Sequence, residues 1–464
     1  MSRDGATSLS SPAPAAGSRG LTRLQLFMMS FGAIVGVGWI TILGQWLERA
    51  GPGGSVIALA LGAAAMTLVA GNYGLLARQE RLSAGGEIGA VARTLGAGPA
   101  FVATAALTLS CWSIVAFEAV SAGWILVTLL PAVEGPALYS VFGRDVHLGT
   151  VVIAVVGIGT VAALNLRSLS NAASAQNAIV FLKIAVTAVF CLAGMLKGEA
   201  GNLLPLLPAR DSSASAVAGV LAVAATMPLW YAGFNVTALL AGERDRSVSA
   251  ASVARVMYMS VIAACLFYVC VVLSASSVVP WSALISAPLP AATAFREGLA
   301  SNLLANTVLV AGLLGIFSAW IACFAGSVRV LTALRAQLDA SRQGLAEGGV
   351  PGPPARSSVI LVAVVAILLA LNGRAALVPI VNVAALGFGI VYLLVSCVAW
   401  RHASRGLERA AALLGAVVSA FMSFYVIYSA VEEGGWHAPE FLVVVSWSTL
   451  AASLWLFRLK RLKS

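Results

Sequence analysis

Apolar residues run along this chain in blocks of about twenty, separated by short segments rich in Arg, Gly, Ser and Pro. A helical block of about that length crosses the hydrocarbon core of a bilayer. Twelve such blocks fall near residues 22–47, 54–77, 99–130, 148–165, 173–196, 214–241, 250–275, 303–328, 357–373, 376–399, 410–430 and 438–457. The pattern predicts an all-α membrane protein of twelve transmembrane helices. Residues 1–20, "MSRDGATSLSSPAPAAGSRG", are rich in Ser, Ala, Gly and Pro and read as a disordered tail. The first apolar block is too long and too rich in glycine for a cleaved signal peptide.

Composition supports lipid as the solvent. The 464 residues are 60% hydrophobic and 10% charged, whereas a soluble domain is about 25% charged. The net charge of +10 could suggest nucleic acid, but the basic residues lie in short segments between apolar blocks. If the N-terminus is cytoplasmic, 21 of the 28 Lys and Arg fall on the cytoplasmic side and six on the other, with Lys183 inside the membrane. That asymmetry predicts both termini inside, and the basic run "FRLKRLKS" at the C-terminus is then a juxtamembrane anchor to anionic lipid at the cell membrane. The six cysteines all lie in apolar blocks without zinc-ligand or CxxC spacing, and the three histidines sit near predicted loops. Neither a metal site nor a cofactor is expected.

Two blocks carry helix-weakening residues at membrane depth. "GAIVGVGWI", residues 32–40, has Gly32, Gly36 and Gly38, and each glycine costs a helix interior about 1 kcal/mol relative to alanine. "MPLWYAGFNVTALLAGE", residues 227–243, has Pro228 and Gly233, the first lacking an N–H and disfavouring a helical predecessor. The interrupted spans are the first and the sixth. Five spans apart, they run in opposite directions, as in an inverted five-helix repeat. Repeat one then covers about 22–196 and repeat two about 214–399, with two extra helices over 410–457 and a basic tail over 458–464. Broken helices expose backbone N–H groups, and a half-helix N-terminus attracts a carboxylate. Gly32 and Gly36 also form a GxxxG, which would serve helix packing alone.

Two ionisable residues lie within spans: Glu118 in "SCWSIVAFEAV" and Lys183 in "IVFLKIAV". A charge at the bilayer centre costs at least about 2.5–3.5 kcal/mol, so such residues face the bundle and carry function or pair structurally. Cys111, Val115 and Glu118 share one helical face. Glu48 and Glu87 read as interfacial, structural residues. Trp39, Trp230, Tyr231 and Phe234 cluster near the breaks.

The chain resembles the amino acid–polyamine–organocation superfamily, its amino-acid permeases in particular, over about residues 21–460. The resemblance rests on "GAIVGVGWI", "AGGEIGAVARTLGAGP", "ALNLRSLSNAASAQNAIVFLKI" (with Asn165, Arg167, Gln176 and Lys183), "LWYAGFNVTALLAGE" ending in Glu243, "RVLTALRAQ" and "LGFGIVYLLVS". Departures are Trp39-Ile40 for the usual Ile-Phe, Glu87 for Tyr, and "RDRSVSA" for an Asn-Pro segment. The resemblance implies a substrate site built from Ile34, Gly36, Val37, Gly38 and Trp39, from Cys111, Val115 and Glu118, and from Tyr231, Ala232, Gly233 and Asn235. It implies a gate at Tyr231 or Phe234, and proton coupling through Lys183 with Glu118 as partner. The expected function is proton-coupled amino-acid symport by alternating access, with a small-molecule substrate, the proton and the bilayer as partners. A carrier of cationic amino acids, polyamines or other amines, an exchanger, or a sensor of the same fold are the alternatives. No motif of an enzyme is present: no His cluster, GxSxG or Walker sequence.

Overall fold

The structure is a computed structural model describing residues 21–79, 81–82, 86–166, 172–209, 212–239, 244–245, 247–338 and 356–463. The N-terminal tail, Arg167 and Glu243 lie outside the described residues, as does the side chain of Gln176.

Span one begins with α1, Arg23–Ile34. Thr22 caps it, accepting the Gln25 N–H while the Gln25 side chain accepts the Thr22 N–H at 2.9 Å, which satisfies two amides of the first turn. The helix stops at Val35. It resumes as α2, Gly38–Thr41, and continues into α3, Leu43–Arg78. The chain turns at Gly51 and Pro52, where Gly51 has φ 64, so α3 holds the end of span one and all of span two. Span six is broken in the same manner. Helices α8, Ser213–Ala225, and α9, Met227–Trp230, lead to a turn over residues 231–233, and α10, Phe234–Leu239, completes it. Pro228 does not make this break. It sits in the first turn of α9, where its missing N–H has no intrahelical partner to lose. The break comes at Gly233, with φ 128.

The remaining helices follow the predicted order. They are α4, Gly86–Leu95, α5, Ala97–Leu129, α6, Leu148–Leu166, α7, Ala172–Lys197, and α11, Ala250–Val278. Short α12, Trp281–Ile285, and α13, Pro290–Gly298, lead to α14, Asn302–Leu338. Then come α15, Arg356–Ala370, α16, Leu377–His402, α17, Gly406–Gly434, and α18, Pro439–Lys463. Two features depart from expectation. Eleven helices among the described residues are long and apolar enough to cross a bilayer, whereas α15, the ninth predicted span, has only 15 residues. At 1.5 Å per residue it reaches about 22 Å, short of the roughly 30 Å core. The segment between α5 and α6 forms an antiparallel hairpin, β1, Ala137–Val141, with β2, Arg144–His147. We call this the hairpin end of the bundle, and the opposite end, with Arg23, Arg78 and Arg93, the basic end.

The packing repeats across the two halves. Span one meets span six through α1 and α10, span two meets span seven through α3 and α11, span three meets span eight through α5 and α14, and span four meets α15 through α6. The first four spans thus each lie against the one five places on, an arrangement consistent with a two-fold relation between inverted halves. Large apolar side chains such as Leu192, Met195, Leu196, Phe424 and Leu456 remain exposed on the outer helices. In water that belt would be a liability; in a bilayer it is the surface lipid covers.

Candidate functional site

An interrupted helix leaves carbonyls without their i+4 donors. In span one two side chains supply the missing donors. The Lys183 ammonium of α7, 3% exposed, donates to Val35 O and reaches Gly32 O at 3.5 Å. Tyr268 Oη of α11 donates to Ile34 O at 2.9 Å, and Trp230 O of span six lies 3.3 Å from the same hydroxyl. One phenol therefore ties both breaks together. Gly315 of α14 makes room for the lysine, since a Cβ there would stand 3.1 Å from Lys183 Cε and 3.3 Å from Nζ.

Among the described residues, the amides of Val37, Gly38 and Trp39 donate no hydrogen bond, and the carbonyls of Tyr231 and Ala232 accept none. The free amides belong to the span-one break and the free carbonyls to the span-six break. Glu118, 4% exposed, approaches Gly36: a Cβ on that glycine would lie 3.7 Å from Glu118 Oε1. Its Oε2 is buried with no hydrogen-bond partner among the described residues, and the carboxyl interacts electrostatically with Lys183. Val115 is fully buried on the same face. Cys111, two turns earlier on α5, sits lower, against Ser327 and Glu87.

Aromatic rings enclose the breaks. Trp230 lies directly on Gly38, where a Cβ would be 1.9 Å from Trp230 Cζ3, so only glycine permits this approach. Trp46 and Phe117 meet Trp230 edge-on at 5.6 and 5.9 Å. Trp39 is wedged between Phe190 and Phe267. Tyr231 points away from span one and donates to Leu59 O of α3 at 3.0 Å. Phe234 lies on the basic-end side of the break, between Tyr73 at 5.4 Å and Tyr392 at 5.5 Å. The ring standing over the Gly38 break is thus Trp230, while Phe234 lies below it.

Below the breaks the half-helices α1 and α10 are joined. Ser30 and Thr237 share a hydrogen bond between their hydroxyls, and Thr237 Oγ1 also reaches Leu26 O at 3.5 Å. Gly233 packs on α1 so closely that a Cβ would stand 2.7 Å from Ile34 N. Asn235 accepts the Gly233 N–H at 3.2 Å, and nearby Glu87 accepts a hydrogen bond from Tyr73 and is 6% exposed. Glu87 is therefore buried rather than interfacial, a correction to its sequence reading; Glu48 is exposed, as expected.

The sequence reading singled out the breaks, Glu118 and Lys183, all of which converge here. It missed Tyr268 and Gly315. Each lies within an apolar span, and a lone tyrosine or glycine there carries no periodic signal. A separate cavity of about 280 Å³ opens at the hairpin end, among Val120, Trp124, His147, Thr150 and Arg374. Among the described residues no three His, Cys, Asp or Glu side chains are grouped to hold a metal ion. No curated protein matches the chain. A family model described as amino acid permease matches residues 21–450. That match covers most of the chain, both breaks included, and places it in the amino acid permease family, as a permease-type transporter of the amino acid–polyamine–organocation superfamily.

Proposed function

We propose that the protein is a secondary active transporter that carries amino acids with protons by alternating access, its basic end facing the cytosol. The observation that carries this reading is the Lys183 ammonium set on the freed carbonyls of the span-one break. A fixed cation there occupies the place a bound metal cation would otherwise fill, and a lysine can lose its charge when a closing helix changes its surroundings. Each turnover then moves one proton through Lys183, with Glu118 as the nearby carboxyl that exchanges charge with it. The substrate carboxylate binds the Val37, Gly38 and Trp39 amides, and its ammonium meets the Tyr231 and Ala232 carbonyls. Trp230 and Tyr231 cover the ligand from the hairpin end, and Phe234 moves with the basic-end half of span six.

A second reading has support from Glu118. Its unpartnered Oε2 beside Gly36 is a counter-charge for a cationic side chain, which favours cationic amino acids or other amines over neutral ones. The test of both is a thermal-shift screen of the purified protein against amino acids and their decarboxylated amines. Parent amino acids should raise Tm and the decarboxylated forms should not. Glu118→Gln should weaken cationic substrates selectively if Glu118 is the counter-charge. Equal stabilisation by amines lacking the carboxylate would overturn the assignment of the amides.

A further inference from the structure

The cavity at the hairpin end holds charges that the substrate site does not use. Its walls come from the far end of α5 (Trp124), from β2 and the start of α6 (His147, Thr150), from Pro288 between α12 and α13, and from Arg374 in the 3-10 turn Gly373–Ala376. The volume of about 280 Å³ is far above the roughly 10–15 Å³ that one water needs, and close to the roughly 300 Å³ at which small-molecule pockets begin. The frame is fixed from several sides. Tyr139 of β1 donates to Leu371 O at 2.6 Å. Gly373, with φ 59, lets the hairpin rest on the turn that carries Arg374, since a Cβ there would stand 3.0 Å from Val146 Cγ2.

The polar groups of this cavity are unevenly matched. The Arg374 guanidinium lies over the Trp124 ring, 5.0 Å from its centroid. Among the described residues it makes no hydrogen bond and no ion pair. Trp124 Nε1 is buried and has no partner either. One stacked pair thus carries two kinds of N–H donor with an acceptor for neither. The carboxylates on the cavity wall are engaged elsewhere: Glu134 lies 3.7 Å from His147 Nδ1, and Asp145 accepts the Ser140 hydroxyl. A guanidinium fork matches a carboxylate with two parallel hydrogen bonds. A bare anion would gain from Arg374 but meet Glu134 and Asp145 in the same space. A ligand with an ammonium beside its carboxylate gains from both signs. The rest of the wall, Val120, Val127, Ala154 and Ala370, is apolar and suits an aliphatic side chain.

We propose that this cavity is a second binding site, for an amino acid with an aliphatic side chain, in which Arg374 and the Trp124 N–H hold the carboxylate and Glu134 the ammonium. Trp124 follows Glu118 by six residues on α5, about 9 Å along the helix axis, so the site stands beyond the central one on the same helix, toward the hairpin end. Its purpose, to receive substrate on the way in, rests on the transporter reading; its occupancy does not. Arg374 and Trp124 are only partly buried, and ion pairs open to water are weak. The site therefore fills after the central one and adds little to a thermal shift at concentrations that fill the latter.

Fluorine NMR of the full chain labelled with fluorotryptophan, in detergent and without an ion gradient, tests this. The Trp124 resonance is assigned by its loss from Trp124→Phe. L-Leucine should move that resonance saturably. Isopentylamine, which lacks the carboxylate, should bind about tenfold more weakly, and Arg374→Gln should weaken L-leucine by a similar factor. Glu134→Gln should weaken L-leucine but strengthen isocaproate, which has the carboxylate without the ammonium; a loss of structure alone would weaken both. Gly38→Val, which disables the central site, should leave the titration as in the wild type, so that a failure of the transporter reading and a failure of this one are read separately. The proposal is overturned by no saturable shift with L-leucine, by amine binding as tight as that of L-leucine, or by an Arg374→Gln titration like the wild type. Weaker isocaproate binding in Glu134→Gln, or loss of the titration in Gly38→Val, would also overturn it.

Discussion

Single residues at the two breaks answer one question each: where a freed backbone group finds its partner. Lys183 supplies a donor to Val35 O, which no backbone amide serves, and Tyr268 adds one to Ile34 O, which also accepts the Gly36 N–H, in a setting where each unmet group costs several kcal/mol. Gly38 is required for a different reason, the approach of Trp230. Gly38→Val places methyl groups inside that ring. Overpacking of this kind costs about 1–3 kcal/mol, so the variant should still insert and fold but lose ligand-induced thermal shifts and uptake. Wild-type uptake by Gly38→Val would show that Trp230 does not need this seat. At this scale the sequence told half the story. Lys183 and Glu118 stood out because a charge in an apolar block has few innocent explanations. Tyr268, Gly315 and the burial of Glu87 did not, because each depends on which distant helix lies opposite, and no local pattern encodes that.

At the scale of elements, the two broken spans were legible from glycine spacing and from the odd number of spans between them. The exact break in span six was not. Pro228 looked like the interruption, but proline is at home in the first turn of a helix, and α9 uses it so. Gly233 carries the break because φ 128 and a 2.7 Å approach to Ile34 N leave no room for a side chain. Gly233→Ala should therefore destabilise the protein by about 1–3 kcal/mol, read as a lower Tm in detergent. A Tm unchanged from wild type would mean that the turn relaxes without cost. The hairpin over residues 137–147 escaped the sequence reading because its polar and apolar residues alternate over too short a run to rival its helical neighbours. Helix α15, with 15 residues, is a little shorter than the span read over 357–373, because the chain leaves the α-helix at Leu371 and Asn372, and Gly373 begins a 3-10 turn.

For the whole molecule, the first four spans each pack against the one five places on, so that in the proposed cycle one half would rock against the other about the breaks. The breaks lie where the two halves meet, and every link described here crosses between elements there: Lys183 to α1, Tyr268 to both breaks, Ser30 to Thr237. A movement of α1 that lengthens the Lys183 contact removes the carbonyls that favour its ammonium, which is how a conformational step would become a proton step. The most direct test of that account is uptake of a radiolabelled amino acid found in the thermal-shift screen, in proteoliposomes with an imposed pH or sodium gradient. The account predicts accumulation driven by an inward proton gradient and not by sodium, with Lys183→Ala losing accumulation while keeping a ligand-induced thermal shift. Accumulation driven by sodium alone, or undiminished pH-driven accumulation by Lys183→Ala, would contradict it.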